Sequence, residues 1–297
     1  MPLIVHSQPP LPRRVTIIGV GLIGGSFALA MRRAVPDICV TGVDRDEINL
    51  ATARHLGVLD QVVQDVASAV AEAELVLLAV PVRQLAAVLS QVWATLPAGA
   101  VVTDVGSTKA SVWQAAQATM GASLARFVPG HPIAGAEQSG VRAARADLFQ
   151  GCSVVLTPTS VCDEQARGVV QQCWEACGAK VELMSVQRHD AIFGVVSHLP
   201  HLLSFALVYD IATRVDAASF FRFAAGGFRD FTRIAASNPE MWRDISLANR
   251  TVLLSEIERY REQLDLLTEL LQQEDESGLE SFFKVARQAR RNWNDTQ

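Results

Sequence analysis

From Val15 onward, short apolar runs alternate with amphipathic stretches, and the first apolar run ends in Gly19-Val20-Gly21-Leu22-Ile23-Gly24. No other feature limits the possible folds so strongly. A strand that enters a glycine turn and leaves as a helix presents the helix's free N–H groups to an anion. The first glycine permits the turn, the second lets a pyrophosphate approach the backbone, and the third lets helix and strand pack closely. Strands are expected at 15–19, 38–44, 75–80, 100–105, 125–130, 152–157 and 180–185. They are unbroken and rich in valine, as in a parallel sheet covered by helices on both faces. Helices are expected between them at 22–34, 46–56, 82–95, 108–119 and 163–178. The alternation predicts a Rossmann-type α/β domain, a doubly wound parallel sheet, over residues 15–187.

After Ser185 the strand pattern stops. Residues 187–213, 217–236, 239–272 and 277–292 read as helices, with a polar break at 272–278. An all-α C-terminal domain is therefore expected over 188–297. Residues 1–14, interrupted by prolines, are expected to form a flexible leader.

Composition narrows the function. The chain has 297 residues, 49% of them hydrophobic and 19% charged, which favours a packed globule over disorder. A formal charge of −5 speaks against a nucleic-acid partner, which would need a basic surface. No uninterrupted apolar run reaches the ~20 residues of a bilayer span, so no membrane association is expected. The five cysteines are odd in number and form no CxxC pair. Cys173 and Cys177 share a helical face but lack further ligands, so reduced thiols in a cytoplasmic protein are expected and no metal.

Asp44 ends the second expected strand, 20 residues after Gly24. A carboxylate there accepts hydrogen bonds from ribose hydroxyls and repels a 2′-phosphate, which favours NAD. The adjacent Arg45 pulls the other way and keeps NADP open. The expected cofactor contacts are Gly19, Gly21, Leu22, Ile23, Gly24, Asp44, Arg45, Val80 and Ser107. The bland alternative has the glycines only making a turn and Asp44 only capping the helix after it.

Two patches, DVGSTK (104–109) and GHPIAG (130–135), follow strands at their carboxyl ends, where open parallel sheets bind ligands. Ser107 and His131 are thus expected near a nicotinamide. A histidine with an ordinary pKa near 6.5 is largely neutral and suits proton acceptance, although His131 beside Pro132 also fits a loop-carbonyl contact. His198 and His201 are three apart, with His189 upstream; lining a domain interface or touching substrate suits them better than binding metal. Arg229 and Arg233, four apart, share a face if helical and suit a carboxylate, or else lie solvated around Asp230. The apolar spacing over 253–271 fits a core or a dimer seam.

Taken in order, GVGLIGGSFA, DVGSTK, GHPIAGAEQSGV, HDAIFGVVSHLPH and GFRDFTRIAASNPEMWRDI resemble the prephenate/arogenate dehydrogenase family, from about Val15 to about residue 290. The resemblance implies oxidative decarboxylation of prephenate or arogenate, with hydride passing to NAD(P)+, in tyrosine biosynthesis. It implies His131 as acceptor of the ring hydroxyl proton, Ser107 as a bridge between that hydroxyl and the cofactor, and His201 as a further catalytic group. Arg233 would bind the ring carboxylate, with Arg229, His189, His198, Glu137 and Trp242 as further substrate contacts. The partners implied are a small dicarboxylate and a second copy of the chain, paired through the helical domain. No mutase segment is expected before Val15 and no regulatory domain after the last helix, so tyrosine feedback, if present, would act at the active site. Two alternatives remain: a β-hydroxyacid dehydrogenase or imine reductase, and a non-catalytic dinucleotide-sensing regulator.

Overall fold

The apolar runs that flank the glycine turn pair side by side, because helices before and after them can bury both faces of the sheet they make. The structure, a computed structural model, describes residues 9–135 and 138–294. In chain order its elements are β1 (Arg14–Ile18), α1 (Leu22–Ala34), β2 (Cys39–Val43), α2 (Glu47–His55), β3 (Gln61–Val62), α3 (Val66–Val70), β4 (Leu75–Leu78), α4 (Leu85–Thr95), β5 (Val101–Asp104), α5 (Ala110–Met120) and β6 (Phe127–Val128). There follow β7 (Gly130–Pro132), β8 (Ser153–Leu156), α6 (Glu164–Ala176), β9 (Lys180–Leu183), α7 (Val186–Phe193), α8 (Leu199–Ala212), α9 (Ala217–Arg222), α10 (Gly226–Thr232), α11 (Pro239–Ala248), α12 (Arg250–Gln272) and α13 (Glu276–Asn294).

Six strands form one parallel sheet in the order β3-β2-β1-β4-β5-β6. The order reverses between β1 and β4, and ligands of such sheets bind at the carboxyl ends of the strands beside that reversal. One face is closed by a core that includes Phe27, Phe149 and Trp174, with ring centroids 4.9 and 5.1 Å apart around the tryptophan. The other is closed by Leu85, Leu89, Val112 and Phe127. The doubly wound α/β fold followed by helices is as the sequence predicts.

Its strand assignment differs in one respect that matters for the site. The segment expected as a single strand over 125–130 is divided at Pro129. Phe127–Val128 closes the parallel sheet, and Gly130–Pro132 enters a second, three-stranded sheet of order β7-β8-β9. β7 runs antiparallel to β8, and β9 parallel to it. Proline has no N–H to give the first ladder, whereas the Pro129 carbonyl accepts from Thr157 N at 2.9 Å. The strands expected at 152–157 and 180–185 thus exist, but outside the large sheet. β3 is two residues long and gave no periodic signal.

The compact unit that holds both sheets extends to Asn249 and includes α7 to α11; α12 and α13 form a second unit. The expected helix over 239–272 is therefore two helices, broken at Asn249. The helix expected over 217–236 is likewise α9, α10 and a tight turn at Arg233–Ala236. Residues 186–212 are helical throughout but contain a wide π turn at Gly194–His198. By length and composition alone this stretch is apolar enough to cross a membrane. Its polar residues His189, Asp190 and His198 are nevertheless buried inside the first unit, while Val196 and Tyr209 are exposed. In the second unit α12 and α13 pack on each other, and Asp275 accepts from Gly278 N at 3.0 Å to close the turn.

Candidate active site

The glycine turn is built by exclusion. Gly19 has φ +94°, and a Cβ there would stand 2.3 Å from the Ala79 carbonyl oxygen. A Cβ on Gly21, by contrast, would meet nothing within 4 Å. The backbone is bare where a ligand has room to approach it. Gly21 also precedes α1, whose first turn has neither a side-chain cap nor an acidic residue. The unsatisfied N–H groups and the helix dipole there favour an anion, so these residues fit a dinucleotide pyrophosphate. Asp44 accepts from Val20 N at 2.8 Å and from Asp46 N at 3.1 Å, tying the end of β2 to the turn. It does not cap α2. That role belongs to Asp46, which accepts from Ile48 N and Asn49 N.

A cavity of about 620 Å³ opens beside this turn. Of the residues singled out in the sequence, Gly21, Leu22, Ile23, Gly24, Arg45, Val80, Ser107, His131 and Arg233 line it. Met241, Asp244 and Ile245 of α11 complete its far side. An imidazole from β7 and a guanidinium from the turn after α10 therefore face one space, although 102 positions separate them. Arg229 lies in α10, whereas Arg233 begins the tighter turn that follows Thr232. Arg229 is exposed and outside the lining. Gly19, Asp44, His189, His198, His201 and Trp242 are also outside it. Glu137 lies outside the described residues.

Behind the cavity His131 joins a buried hydrogen-bonded chain. His131 Nδ1 is 2.8 Å from His189 Nε2, and His189 Nδ1 is 2.8 Å from Asp190 Oδ1. Asp190 also accepts Lys109 N at 2.7 Å and Ala110 N at 2.8 Å. It thereby caps α5, which has no side-chain cap of its own, from 80 residues away. Burial pushes the Asp190 carboxyl up, but the bonds from His189 and these backbone N–H groups outweigh it and leave it below the usual carboxylate range. Burial, with Lys109, His189 and His198 adding to it, holds His131 well below 6.5. Burial lowers His189 too, against the opposing bond to Asp190. Buried imidazoles this placed stay neutral near pH 7, which suits a proton acceptor.

The π turn sets the other two histidines. Asn249 Nδ2 donates to His198 Nδ1 at 3.0 Å and to the Asp190 carbonyl at 2.9 Å. Burial brings His198 down to about 4. His201 Nδ1 donates to the Ser197 carbonyl at 2.8 Å, and its ring stacks on Trp242 with centroids 3.6 Å apart. Trp242 is followed by Arg243 and Asp244; Asp244 reaches the cavity and is bonded to Arg243 at 2.7 Å.

Sequence reasoning gave no role to Lys109, Asp104, Asp190 or Asn249. Lys109 and Asp104 are both fully buried, and Lys109 Nζ bonds Asp104 Oδ2 and the Gly130 carbonyl, each at 2.5 Å. Asp104 in turn accepts Gly106 N at 2.7 Å and Gly130 N at 3.1 Å. The pair therefore clasps the loops that carry Ser107 and His131. Both residues stand in the DVGSTK patch, and Asp190 stands next to His189. Acidic and basic residues within otherwise apolar surroundings were the available signal.

Comparison with known proteins matches this architecture. The model of the prephenate dehydrogenase nucleotide-binding domain matches residues 27–183, and that of the prephenate dehydrogenase dimerization domain matches residues 185–285. The chain is 36% identical to a cyclohexadienyl dehydrogenase of Zymomonas mobilis over 280 residues, covering 94% of this chain and 95% of that one. It is 37% identical to a prephenate dehydrogenase of Bacillus subtilis, covering 93% and 75% respectively. The crystal structure of prephenate dehydrogenase from Aquifex aeolicus, in complex with hydroxyphenyl propionate and NAD+, superposes with a TM-score of 0.89 at 38% identity. That superposition covers 94% of this chain and 98% of the other.

Proposed function

This chain belongs to the prephenate dehydrogenase family, and we propose that it oxidatively decarboxylates prephenate, with NAD+ as hydride acceptor, to 4-hydroxyphenylpyruvate in tyrosine biosynthesis. The observation that carries the site assignment is the common cavity of Gly21, Ser107, His131 and Arg233. Residues 15–187 hold the dinucleotide, residues 188–249 complete the substrate site, and the region matched by the dimerization domain, residues 185–285, forms the dimer. Bound at the α1 N-terminus, with Asp44 and Arg45 at its ribose end, NAD+ supplies the acceptor for the hydride on the ring carbon that bears the hydroxyl.

His131 Nε2 draws the hydroxyl proton as that hydride leaves. The bond from the ring to its carboxylate breaks, CO₂ departs, and the electron pair left behind makes the ring aromatic. His131 then returns the proton to the phenol oxygen, so atoms and charge balance without net proton release. Ser107 hydrogen-bonds the same hydroxyl. Arg233 binds the ring carboxylate, with Arg229 as a further substrate contact, and His201 stacked on Trp242 positions the ring. His189 and His198 act from behind. Aromatisation drives the reaction, and the protein's part is chiefly orientation.

Val196, Leu207 and Tyr209 of the 186–212 stretch, together with Phe220 and Phe223, are exposed and offer apolar surface to a second copy of the chain, which supports a homodimer. All five cysteines are free, which supports a cytoplasmic location. The test is NADH formation with prephenate and arogenate beside a panel of β-hydroxyacids, for wild type and His131→Ala. Prephenate turnover that falls by about 10²–10⁴-fold in the variant, with unchanged NAD+ affinity, is expected. Turnover with a hydroxyacid alone, or an unimpaired variant, would overturn the proposal.

A further inference from the structure

We infer that Asp190 is a positioning residue: acting through His189, it selects the tautomer in which His131 presents an unprotonated Nε2 to the cavity. The inference rests on His131 being the proton acceptor, and it assigns what makes that nitrogen a base.

The assignment follows from which atoms can donate. Lys109 N and Ala110 N are backbone donors, and they point at both oxygens of Asp190, at 2.7 and 2.8 Å. Asp190 is therefore held as a carboxylate that only accepts. His189 Nδ1, 2.8 Å from Oδ1, must then carry a proton. In a neutral ring the other nitrogen has a lone pair, so His189 Nε2 accepts, and His131 Nδ1, 2.8 Å away, must donate. A neutral His131 with its proton on Nδ1 has its lone pair on Nε2. That nitrogen makes no hydrogen bond among the described residues, and the ring lines the cavity. Three side chains on two elements thus relay one constraint from the α5 N-terminus to the reacting proton.

The same chain supports the charged state. When His131 takes the proton, its Nδ1–H is already bonded to His189, and His189 is already bonded to an anion. Phe193 packs edge-on against His131 with centroids 4.9 Å apart and stacks obliquely on His189 at 4.6 Å, so neither ring can rotate away easily. The groups that face His131 are Lys109 from the loop before α5, His189 from α7 and His198 from the π turn. All three repel an added proton when charged, and Asp190 is the nearest counter-charge in the relay.

The experiment is long-range ¹H–¹⁵N correlation on ¹⁵N-histidine-labelled full-length protein at pH 7.5, with His131 assigned by its loss in His131→Gln. The spectrum of the unsubstituted protein should show His131 protonated at Nδ1 and bare at Nε2. In Asp190→Ala no acceptor holds the proton on His189 Nδ1, the tautomer is no longer selected, and His131 should become protonated at Nε2 in a substantial fraction of molecules. Turnover should fall by ~10³–10⁴-fold, as when the buried aspartate of a serine-protease triad is removed. Asp190→Glu should retain the native tautomer and recover part of the rate. Nε2 protonation in the unsubstituted protein overturns the inference even if the variants fail to fold. So does Asp190→Ala turnover within tenfold with the native tautomer unchanged. Failure of the underlying assignment is distinct, because an active His131→Ala would exclude His131 as acceptor whatever its tautomer.

Discussion

Lys109→Met tests how the site is held together. Methionine fills nearly the same apolar path as the lysine stem but offers no cation. In the native protein Nζ meets Asp104 Oδ2 and the Gly130 carbonyl, and neither charged side chain is exposed at all. The substitution leaves a buried carboxylate with only Gly106 N and Gly130 N as partners. Removing one member of a buried ion pair costs about 3–5 kcal/mol, a large part of the ~5–15 kcal/mol that stabilises a typical domain. Urea unfolding followed by tryptophan fluorescence should show the midpoint falling at unchanged slope. Asp104→Asn added to Lys109→Met should recover some of the loss, because no charge then remains buried. Lys109 also helps burial hold His131 below its ordinary pKa, so removing it raises that pKa. The acid limb of the kcat/KM profile should accordingly move to higher pH. A loss below about 1 kcal/mol, or strictly additive effects of the two substitutions, would refute the reasoning, since coupled neighbours do not add.

Other perturbations separate binding from folding. Gly21→Val should raise KM for NAD+ by at least ~10-fold without lowering Tm, because its side chain enters only the space left for the pyrophosphate; an unchanged KM would remove that role. Arg233→Ala should raise KM for prephenate by roughly 10–100-fold with kcat little changed, the share of one charge-assisted hydrogen bond. An unaltered KM would move carboxylate binding to Arg229. His198 predicts a pH effect on stability. Below pH 6.5 the unfolded chain's imidazole takes up a proton that the folded one refuses until about pH 4. The unfolded state binds more protons in that window, so stability falls as pH falls, by up to about 3 kcal/mol from this residue. Chemical denaturation from pH 7 to 4 should show a shallower slope for His198→Gln, and equal slopes would contradict the assignment.

What the sequence alone determined is what neighbouring residues determine. The glycine turn was legible because Gly19 needs its left-handed backbone and Gly21 its bare surface whatever the rest of the chain does. The parallel strands β1, β2, β4 and β5 followed from valine-rich runs separated by helices, and α1, α5 and α6 were found within two residues of their ends. Ser107, His131 and Arg233 were legible as polar groups at the carboxyl ends of strands or within the motifs that carry the family resemblance.

Tertiary structure alone decided how those groups are made competent. His131 reaches His189 across 58 residues and Asp190 caps α5 across 80, and both contacts depend on α7 packing beside that helix. Pro129 moves His131 from one sheet into another, and a wide turn at 194–198 sends His198 inward. Asp104 and Lys109 are only five apart, yet nothing in their spacing tells that both are fully dehydrated. Periodicity and turn chemistry act over a few bonds, whereas burial and proton position are set by whichever distant atoms complete the shell. That shell exists only once the chain has folded.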